Sequence, residues 1–215
     1  MKENQSPTRA KIIAAAERLF YAEGIGRVSV DAVAEKAGVT KRTLYYHFTS
    51  KDELIEAYLT ARDQPNLALF RRWFETADGT VADKTKAIFL NLGHSASHPR
   101  WKGCGFLRTS AELASLPGHP ALKVGAAHKK RFESWLAATF AEAGIGSAEP
   151  LARQVLLLLD GSFAVTLLQR DPTYMDAAGD AARVLVGTAL RQVRGRRPIE
   201  ESNQLSLKLD NESSR

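Results

Sequence analysis

The segment from Lys41 to Lys51 concentrates side chains that can bind phosphates and the edges of nucleic-acid bases. It reads KRTLYYHFTSK, so two cations and a threonine come first, and two tyrosines, a histidine and another lysine follow. Arginine and lysine donate to guanine O6 and N7, whereas threonine offers a hydroxyl or a methyl group. The hydroxyl, imidazole and ammonium groups further along suit phosphate oxygens. This composition favours contact with DNA.

Two helices and a short turn must position these side chains. Apolar residues recur at i, i+3, i+4 and i+7 over 30–37, which predicts a helix, and Ser29 is suited to cap its start. Gly38 ends this helix, and Gly38-Val39-Thr40 forms a turn of three residues. A second helix begins at Lys41 and is too short to be stable alone. It must therefore be held by the elements around it.

An N-terminal helix and the start of a fourth helix are predicted to supply that support. Ile12, Ala16, Leu19 and Phe20 share one helical face, and Leu44 and Phe48 would anchor the short helix at i, i+4. Ser50 followed by Glu53 three residues later has the spacing of a capping box. The sequence therefore predicts a small bundle beneath an exposed basic and aromatic face.

Two helices joined by a glycine-containing turn describe a helix-turn-helix, whose second helix normally enters the major groove of DNA. The N-terminal residues of that helix lie nearest the bases, and later residues lie nearer the phosphates. Ser29, at a helix N-terminus, can present its hydroxyl and the helix amides to a phosphate. The predicted DNA-binding residues are Ser29, Lys41, Arg42, Thr43, Tyr45, Tyr46, His47 and Lys51.

Residues 8–59 resemble the N-terminal domain of the TetR family of transcriptional regulators. The matching segments are AAAERLFYAEG, VSVDAVAEKAGVT and TLYYHFTSKDEL, and they cover about a quarter of the chain. The resemblance implies an all-α homodimer in which a DNA-binding domain is followed by a divergent helical domain that binds a small molecule and dimerises. Most members of that family are repressors that their ligand releases from operator DNA. The same role is therefore expected here.

The periodicity is helical almost throughout, and no strand pattern occurs, so the expected fold class is all-α. We predict a helix-turn-helix domain at 1–52, a ligand-binding and dimerisation domain at 53–194, and a disordered tail at 195–215. Pro65 is expected to kink or break a helix that would otherwise run to Ala77. Further helices are predicted at about 81–95, 106–115, 120–143, 148–169 and 174–193.

The last two predicted helices are candidates for the dimer interface. The helix at 148–169 is apolar on nearly all sides (VLLLLDGSFAVTLL), so it must be covered from several directions. Gly161, Ser162 and Ala164 would let another helix approach closely. In the TetR family the last two long helices pair with their twins in a four-helix interface, and we adopt that assignment. Packing within the monomer is the alternative.

The larger domain is rich in aromatic residues, which favours a cavity for a hydrophobic or aromatic effector. Asp160 stands inside a Leu/Phe run and needs a partner, because an unpaired buried carboxylate is costly. Arg108, His128 and Arg131 are the candidate partners. One interpretation makes Asp160 a polar anchor in a ligand pocket or across the dimer interface. The alternatives are that it forms a buried structural pair with one of these residues or faces solvent at the rim of its helix. The predicted ligand-binding residues are Cys104, Phe106, Trp135, Asp160 and Phe163.

Cys104 supports an alternative function, a repressor that senses oxidants or electrophiles. Arg100, Lys102 and Arg108 lie nearby in sequence, and positive charge increases thiol reactivity. The other interpretation is a small residue that lines the core or the pocket. As the only cysteine, it excludes an internal disulfide and favours a reducing compartment.

Other functional classes find little support in the sequence. The net charge of +6 is only a mild bias toward anionic partners, although residues 1–51 carry nine Lys/Arg against five Asp/Glu. We find no phosphate-binding glycine loop, nucleophile elbow or metal-binding helix, so we expect no catalytic site, cofactor or metal. An enzyme with a DNA-binding appendage and a nonspecific nucleoid protein remain as weaker alternatives. No signal peptide or bilayer-spanning run is evident, so a cytoplasmic location is expected.

Overall fold

The computed structural model describes the backbone of residues 6–212 and the side chains of residues 6–192. Within these residues the chain forms nine helices and no strand, as the sequence predicted. The helices are α1 (Pro7–Glu23), α2 (Val30–Ala37), α3 (Lys41–His47), α4 (Lys51–Thr76), α5 (Val81–Ala96), α6 (Gly105–Glu112), α7 (Pro120–Glu142), α8 (Ala148–Gln169) and α9 (Thr173–Glu212).

The first three helices and the start of α4 enclose a small apolar core. Leu44 and Phe48, the two predicted anchors of α3, are both completely buried in it. They pack with side chains from α1 and α4, including Ile12, Phe20 and Leu54. Because α3 has only seven residues, this packing rather than intrinsic helix propensity holds it in place.

The predicted effect of Pro65 was a kink or a break; helix α4 is continuous through Pro65, so the break is wrong. A proline inside a helix removes one backbone hydrogen bond and crowds the carbonyl four residues earlier. Pro65 is exposed, and so is Ala61, whose carbonyl would have received that bond. Water can therefore hydrate the carbonyl, while packing on the opposite side of α4 preserves the helix.

The two ends of α4 belong to different cores. Residues up to Leu59 pack into the N-terminal bundle, whereas Leu67, Phe70 and Phe74 pack into a second core built from α5, α7, α8 and α9. The change of core therefore falls inside α4, later than residue 52. One unbroken helix connects the helix-turn-helix to the larger domain.

Helix α8 crosses the second core, and only one of its two faces is buried. Val155, Leu159 and Phe163 are buried on one side, while Leu157 and Leu168 are 66% and 78% exposed on the other. Its 22 residues and mean hydropathy of 1.6 would suffice for a bilayer span, contrary to the sequence expectation. Length and composition alone are weak grounds for a span, because core helices share them. Here α8 packs against α7 and α9.

Helix α9 packs along α5 and α8 and leaves a second exposed apolar strip. Val184 on this helix is 64% exposed. The helix continues to Glu212, and residues 213–215 lie outside the described part of the chain. The disordered tail predicted over residues 195–215 stays a prediction.

Candidate functional site

The turn between α2 and α3 is built around a left-handed glycine. Gly38 has φ 66° and ψ 37°, a conformation in which a side chain is disfavoured. Its N–H donates to Glu35 O at 3.0 Å, and the next N–H, of Val39, donates to Ala34 O at 3.0 Å. These paired bonds close the end of α2. They therefore set the direction in which the chain enters α3.

Side-chain caps fix the starts of both helices. Ser29 Oγ accepts the N–H of Ala32 at 3.1 Å, and Thr40 Oγ1 accepts the N–H of Thr43 at 3.1 Å. The cap predicted at Ser29 is therefore confirmed. Its hydroxyl hydrogen is not used by this bond and can still be donated to a phosphate.

The outer face of α3 is open to solvent. Tyr46 is 84% exposed and Tyr45 is 45% exposed, whereas Leu44 between the turn and these residues is fully buried. Arg42 is also exposed, and His47 lies edge-on to the ring of Tyr46 with centroids 5.2 Å apart. A short helix that buries one side and exposes aromatic and cationic groups on the other presents them to an external surface.

Lys41 differs from this pattern because it already has a partner. Its Nζ lies 2.9 Å and 3.0 Å from the two carboxylate oxygens of Asp31 on α2. The hydrogen bond and the charge of Asp31 raise the pKa of Lys41 above its ordinary value. Both side chains are more than half exposed, so a phosphate or a base can compete for the ammonium group. The sequence did not reveal this pair.

The remaining predicted contact residue, Lys51, is half-buried as the first residue of α4. Ser50 caps this helix, and its Oγ accepts the N–H of Glu53 at 3.1 Å. The Glu53 carboxylate accepts the N–H of Thr49 at 2.7 Å rather than that of the capping residue. The eight predicted DNA-binding residues therefore lie on α3, at its flanks and at the start of α2.

A cavity of about 150 Å³ lies in the larger domain, beside the C-terminal end of α1. Two of the five predicted ligand-binding residues, Cys104 and Phe163, line it. The complete lining is Tyr21, Arg62, Asn66, Leu69, Phe70, Trp73, Leu92, Ser95, Trp101, Gly103, Cys104, Gly105, His128, Lys129 and Phe163.

The other three predicted ligand-binding residues lie outside the lining. Phe106 is buried, and its ring stacks on His128 with centroids 3.8 Å apart. Trp135 packs edge-on to Phe74, with centroids 5.6 Å apart. Asp160 pairs with Lys129, which does line the cavity. Helical spacing alone could not distinguish these core positions from cavity positions.

The partner of Asp160 is Lys129, and none of the three predicted candidates. Arg108 instead donates to the carbonyl of Tyr21 at 2.8 Å, while His128 and Arg131 pair with Asp63. The predicted need for a partner was correct, but the identity was wrong. Lys129 follows His128 directly on α7. Neighbouring side chains of a helix point in different directions, so Lys129 faces α8 whereas His128 faces α4.

Several cavity residues were not predicted. Arg62 comes from the middle of α4, Trp73 from its later turns, and Trp101 from the loop before α6. From the sequence alone, each of these residues would be assigned to the surface or the core of its own helix or loop. Only the packing of six helices and a loop brings the cavity lining together.

Helix α6 and the loop before it contact the N-terminal bundle directly. The Glu112 carboxylate accepts the N–H of Gly26 at 2.8 Å, in the loop between α1 and α2. The hydroxyl of Tyr21, at the end of α1, accepts the N–H of Lys102 at 2.9 Å. The cavity wall is therefore bonded to the helix-turn-helix domain through α6 as well as through α4.

A larger groove of about 650 Å³ lies between the start of α5 and the outer side of α9. Its polar residues are already paired, since Arg183 Nε lies 2.6 Å from Asp83, which also accepts from Thr80. These contacts lower the pKa of Asp83 to about 2, with the bonds from Thr80 contributing most. Among the described side chains, the smaller cavity offers an unpaired donor, Arg62 Nε, and aromatic walls, so it is the stronger candidate site.

The fold and the exposed face of α3 define a helix-turn-helix protein with an all-helical second domain. Residues 12–58 match the family model described as "Bacterial regulatory proteins, tetR family". The solved structure of SCO4454, a TetR-family transcriptional regulator from Streptomyces coelicolor, superposes with a TM-score of 0.70 at 31% identity, covering 88% of this chain and 97% of that one. This chain therefore belongs to the TetR family of transcriptional regulators.

Two regulators of known name match this chain over a short stretch. The HTH-type transcriptional regulator TtgR of Pseudomonas putida is 50% identical over 58 residues, which is 27% of this chain and 28% of that protein. The HTH-type transcriptional regulator UidR of Escherichia coli is 35% identical over 75 residues, or 35% and 38% of the two chains. The match thus spans less than half of each relative.

Proposed function

We propose that this protein is a transcriptional repressor that binds operator DNA as a homodimer and is released by a small-molecule effector. The exposed polar face of α3, held over the buried Leu44 and Phe48, carries this proposal. The major groove admits a helix, and the N-terminal turn of α3 would bring Arg42 to the base edges. Tyr45, Tyr46 and Lys51 would lie along the phosphates.

The homodimer is proposed from the uncovered faces of α8 and α9. Leu157, Gly161, Ala164 and Leu168 follow one another at helical spacing and are all exposed. Val184 continues an apolar surface on α9. An apolar strip of this length is unfavourable in water and is suited to pairing with its copy across a two-fold axis. Such a dimer would present two α3 helices about 34–36 Å apart, one turn of duplex.

Release by an effector is proposed from the position of the cavity. Its wall includes Arg62 on α4 and Gly105 on α6, and both helices contact the N-terminal bundle. A ligand that prefers one arrangement of these helices would shift the population of dimers that fit DNA. A tenfold change in affinity needs a preference of about 1.4 kcal/mol. Action on DNA would put the protein in the cytoplasm.

The test begins with genome-wide capture of the DNA bound by the protein in its native source. Fluorescence anisotropy then compares a captured duplex with a random duplex of the same length over a range of salt concentrations. We expect both to lose affinity as salt rises, with the captured duplex bound at least about 10³-fold more tightly at physiological salt. Equal affinity for both duplexes would contradict a sequence-specific repressor.

A further inference from the structure

We infer that the cavity beside α6 binds a small aromatic carboxylate, with a single ring and an ionised acid group. The inference rests on the proposed function, because it names the chemical class of the effector. Three observations carry it: the volume of the cavity, the aromatic residues in its wall, and the sign of the charges that face it.

The volume limits the ligand to about one ring. The cavity measures about 150 Å³. A protein cavity of about 150 Å³ lined by apolar side chains binds benzene. A fused two- or three-ring compound exceeds this volume and would extend out of the cavity.

The wall suits a flat aromatic group. Phe70 and Trp73 lie on α4 with ring centroids 5.8 Å apart, and Trp101 and Phe163 stack with centroids 6.3 Å apart and an interplanar angle of 14°. Aromatic rings prefer offset-stacked or edge-to-face neighbours at such separations. A guest ring between these two pairs would find both kinds of contact. A saturated ring of equal size would lose the edge-to-face component.

The charges facing the cavity are cationic. Arg62 and Lys129 line it, whereas their carboxylate partners Glu17 and Asp160 do not. Each cation therefore contributes to the lining, whereas its anion does not. The lining contains no Asp or Glu. A carboxylate placed here would meet donors and no repelling acid.

One of these donors lacks a partner within the described part of the chain. Arg62 Nε is buried and makes no hydrogen bond. It lies near the first residue of α6, since a Cβ added to Gly105 would be 3.8 Å from it. An unsatisfied buried guanidinium N–H is costly, and a bound carboxylate would satisfy it once the Arg62 side chain turns toward the cavity.

The start of α6 adds to this donor set. Cys104 occupies the N-cap position but makes no side-chain bond to the first-turn amides. Both Cys104 and Gly105 line the cavity, so the positive end of the helix lies at its wall. The acid group of the ligand is therefore placed at Arg62 and the start of α6, and its ring between the aromatic pairs.

The test measures binding to the full-length protein by the fluorescence of Trp73 and Trp101. Four probes separate the requirements: benzoate, its neutral analogue benzamide, the saturated cyclohexanecarboxylate, and the three-ring anthracene-9-carboxylate, the last followed by calorimetry because it fluoresces. We expect saturable binding of benzoate, at least about tenfold tighter than each of the other three. Equal binding of benzoate and benzamide, strongest binding of the three-ring acid, or no binding of benzoate would overturn the inference.

Two variants and a control assign the effect to the cavity. Arg62→Gln and Lys129→Gln should each remove most of the preference for benzoate over benzamide, because each removes a cation from the cavity lining. Lys123→Gln removes an exposed cation from the same helix as Lys129 and should change nothing. Circular dichroism confirms that the variants are folded. If both cavity variants retain the preference, the assignment of the acid group is wrong.

Binding of DNA is measured separately, so the two proposals can fail independently. Protein that prefers benzoate yet does not discriminate between duplexes would support the cavity assignment and contradict the repressor. Protein that binds its captured duplex specifically but shows no preference for benzoate would support the repressor and contradict the cavity assignment.

Discussion

His128 on α7 donates a hydrogen bond to the Asp63 carboxylate on α4, with Nδ1 2.7 Å from Oδ1. Arg131 lies 2.7 Å from the other carboxylate oxygen. An ionised carboxylate only accepts, so the neutral imidazole must carry its proton on Nδ1. Both His128 and Asp63 are buried, and the pair joins the middle of α4 to the larger domain.

This relationship predicts a loss of stability in acid. Burial lowers the pKa of His128 below its ordinary 6.5, and this effect exceeds the opposing bond from Asp63. The unfolded chain therefore binds the proton more readily. The stabilising contribution is complete above about pH 6.5 and declines as the pH falls toward the lower folded pKa, with a slope of at most about 1.4 kcal/mol per pH unit. Urea titrations between pH 5 and 8 measure this.

A variant separates His128 from the other titrating groups. His128→Gln should flatten the decline between pH 6.5 and 5, whereas His94→Gln, at an exposed position, should leave it unchanged. A His128→Gln protein with the pH dependence of the parent would show that another group is responsible.

The pair between Lys41 and Asp31 predicts that Asp31→Asn tightens binding to DNA. The substitution removes a carboxylate that competes with the phosphates and bases for the Lys41 ammonium. Anisotropy at low salt should show a gain of about two- to fivefold on captured and random duplexes alike.

Glu35→Gln is the matched control for this prediction, because it removes an exposed carboxylate from the same helix, and no pair between Glu35 and Lys41 is seen among the described side chains. If Glu35→Gln increases the affinity for DNA as much as Asp31→Asn does, the change in net charge rather than the release of Lys41 explains the effect.

The left-handed conformation of Gly38 predicts that different substitutions there destabilise the protein to different degrees. No atom would meet an added Cβ, so the cost of Gly38→Ala is purely conformational, about 1–2 kcal/mol of unfolding free energy. Gly38→Asn should cost less, since asparagine tolerates this region. Gly146→Ala, also unobstructed but without positive φ, should be near neutral. Equal losses in Gly38→Ala and Gly38→Asn, measured by thermal unfolding, would contradict a conformational cause.

The helix-turn-helix was predictable because its signals are local. Ser29, Gly38 and Thr40 act on backbone groups within five residues of themselves, and Leu44 and Phe48 show the buried side of α3 by their spacing. These signals do not depend on the rest of the fold. The bounds of α2 and the start of α3 were accordingly predicted correctly.

The other features depend on tertiary contacts, which sequence spacing does not contain. Pro65 does not interrupt α4, because one lost backbone bond on an exposed surface costs less than the packing on the opposite side provides. The Asp160 carboxylate required a partner, but only the rotation of α7 against α8 selects Lys129. Arg62 joins the cavity through the assembly of several helices.

The central claim is that the exposed face of α3 reads DNA sequence, with Arg42 at a base pair. The most direct measurement is the affinity of the parent protein, Arg42→Ala and Tyr45→Ala for a captured duplex and for duplexes changed at one base pair each. We predict that Arg42→Ala abolishes discrimination, of about tenfold, at one position, whereas Tyr45→Ala weakens binding to every duplex equally. A uniform loss from Arg42→Ala, with discrimination intact at all positions, would contradict the claim.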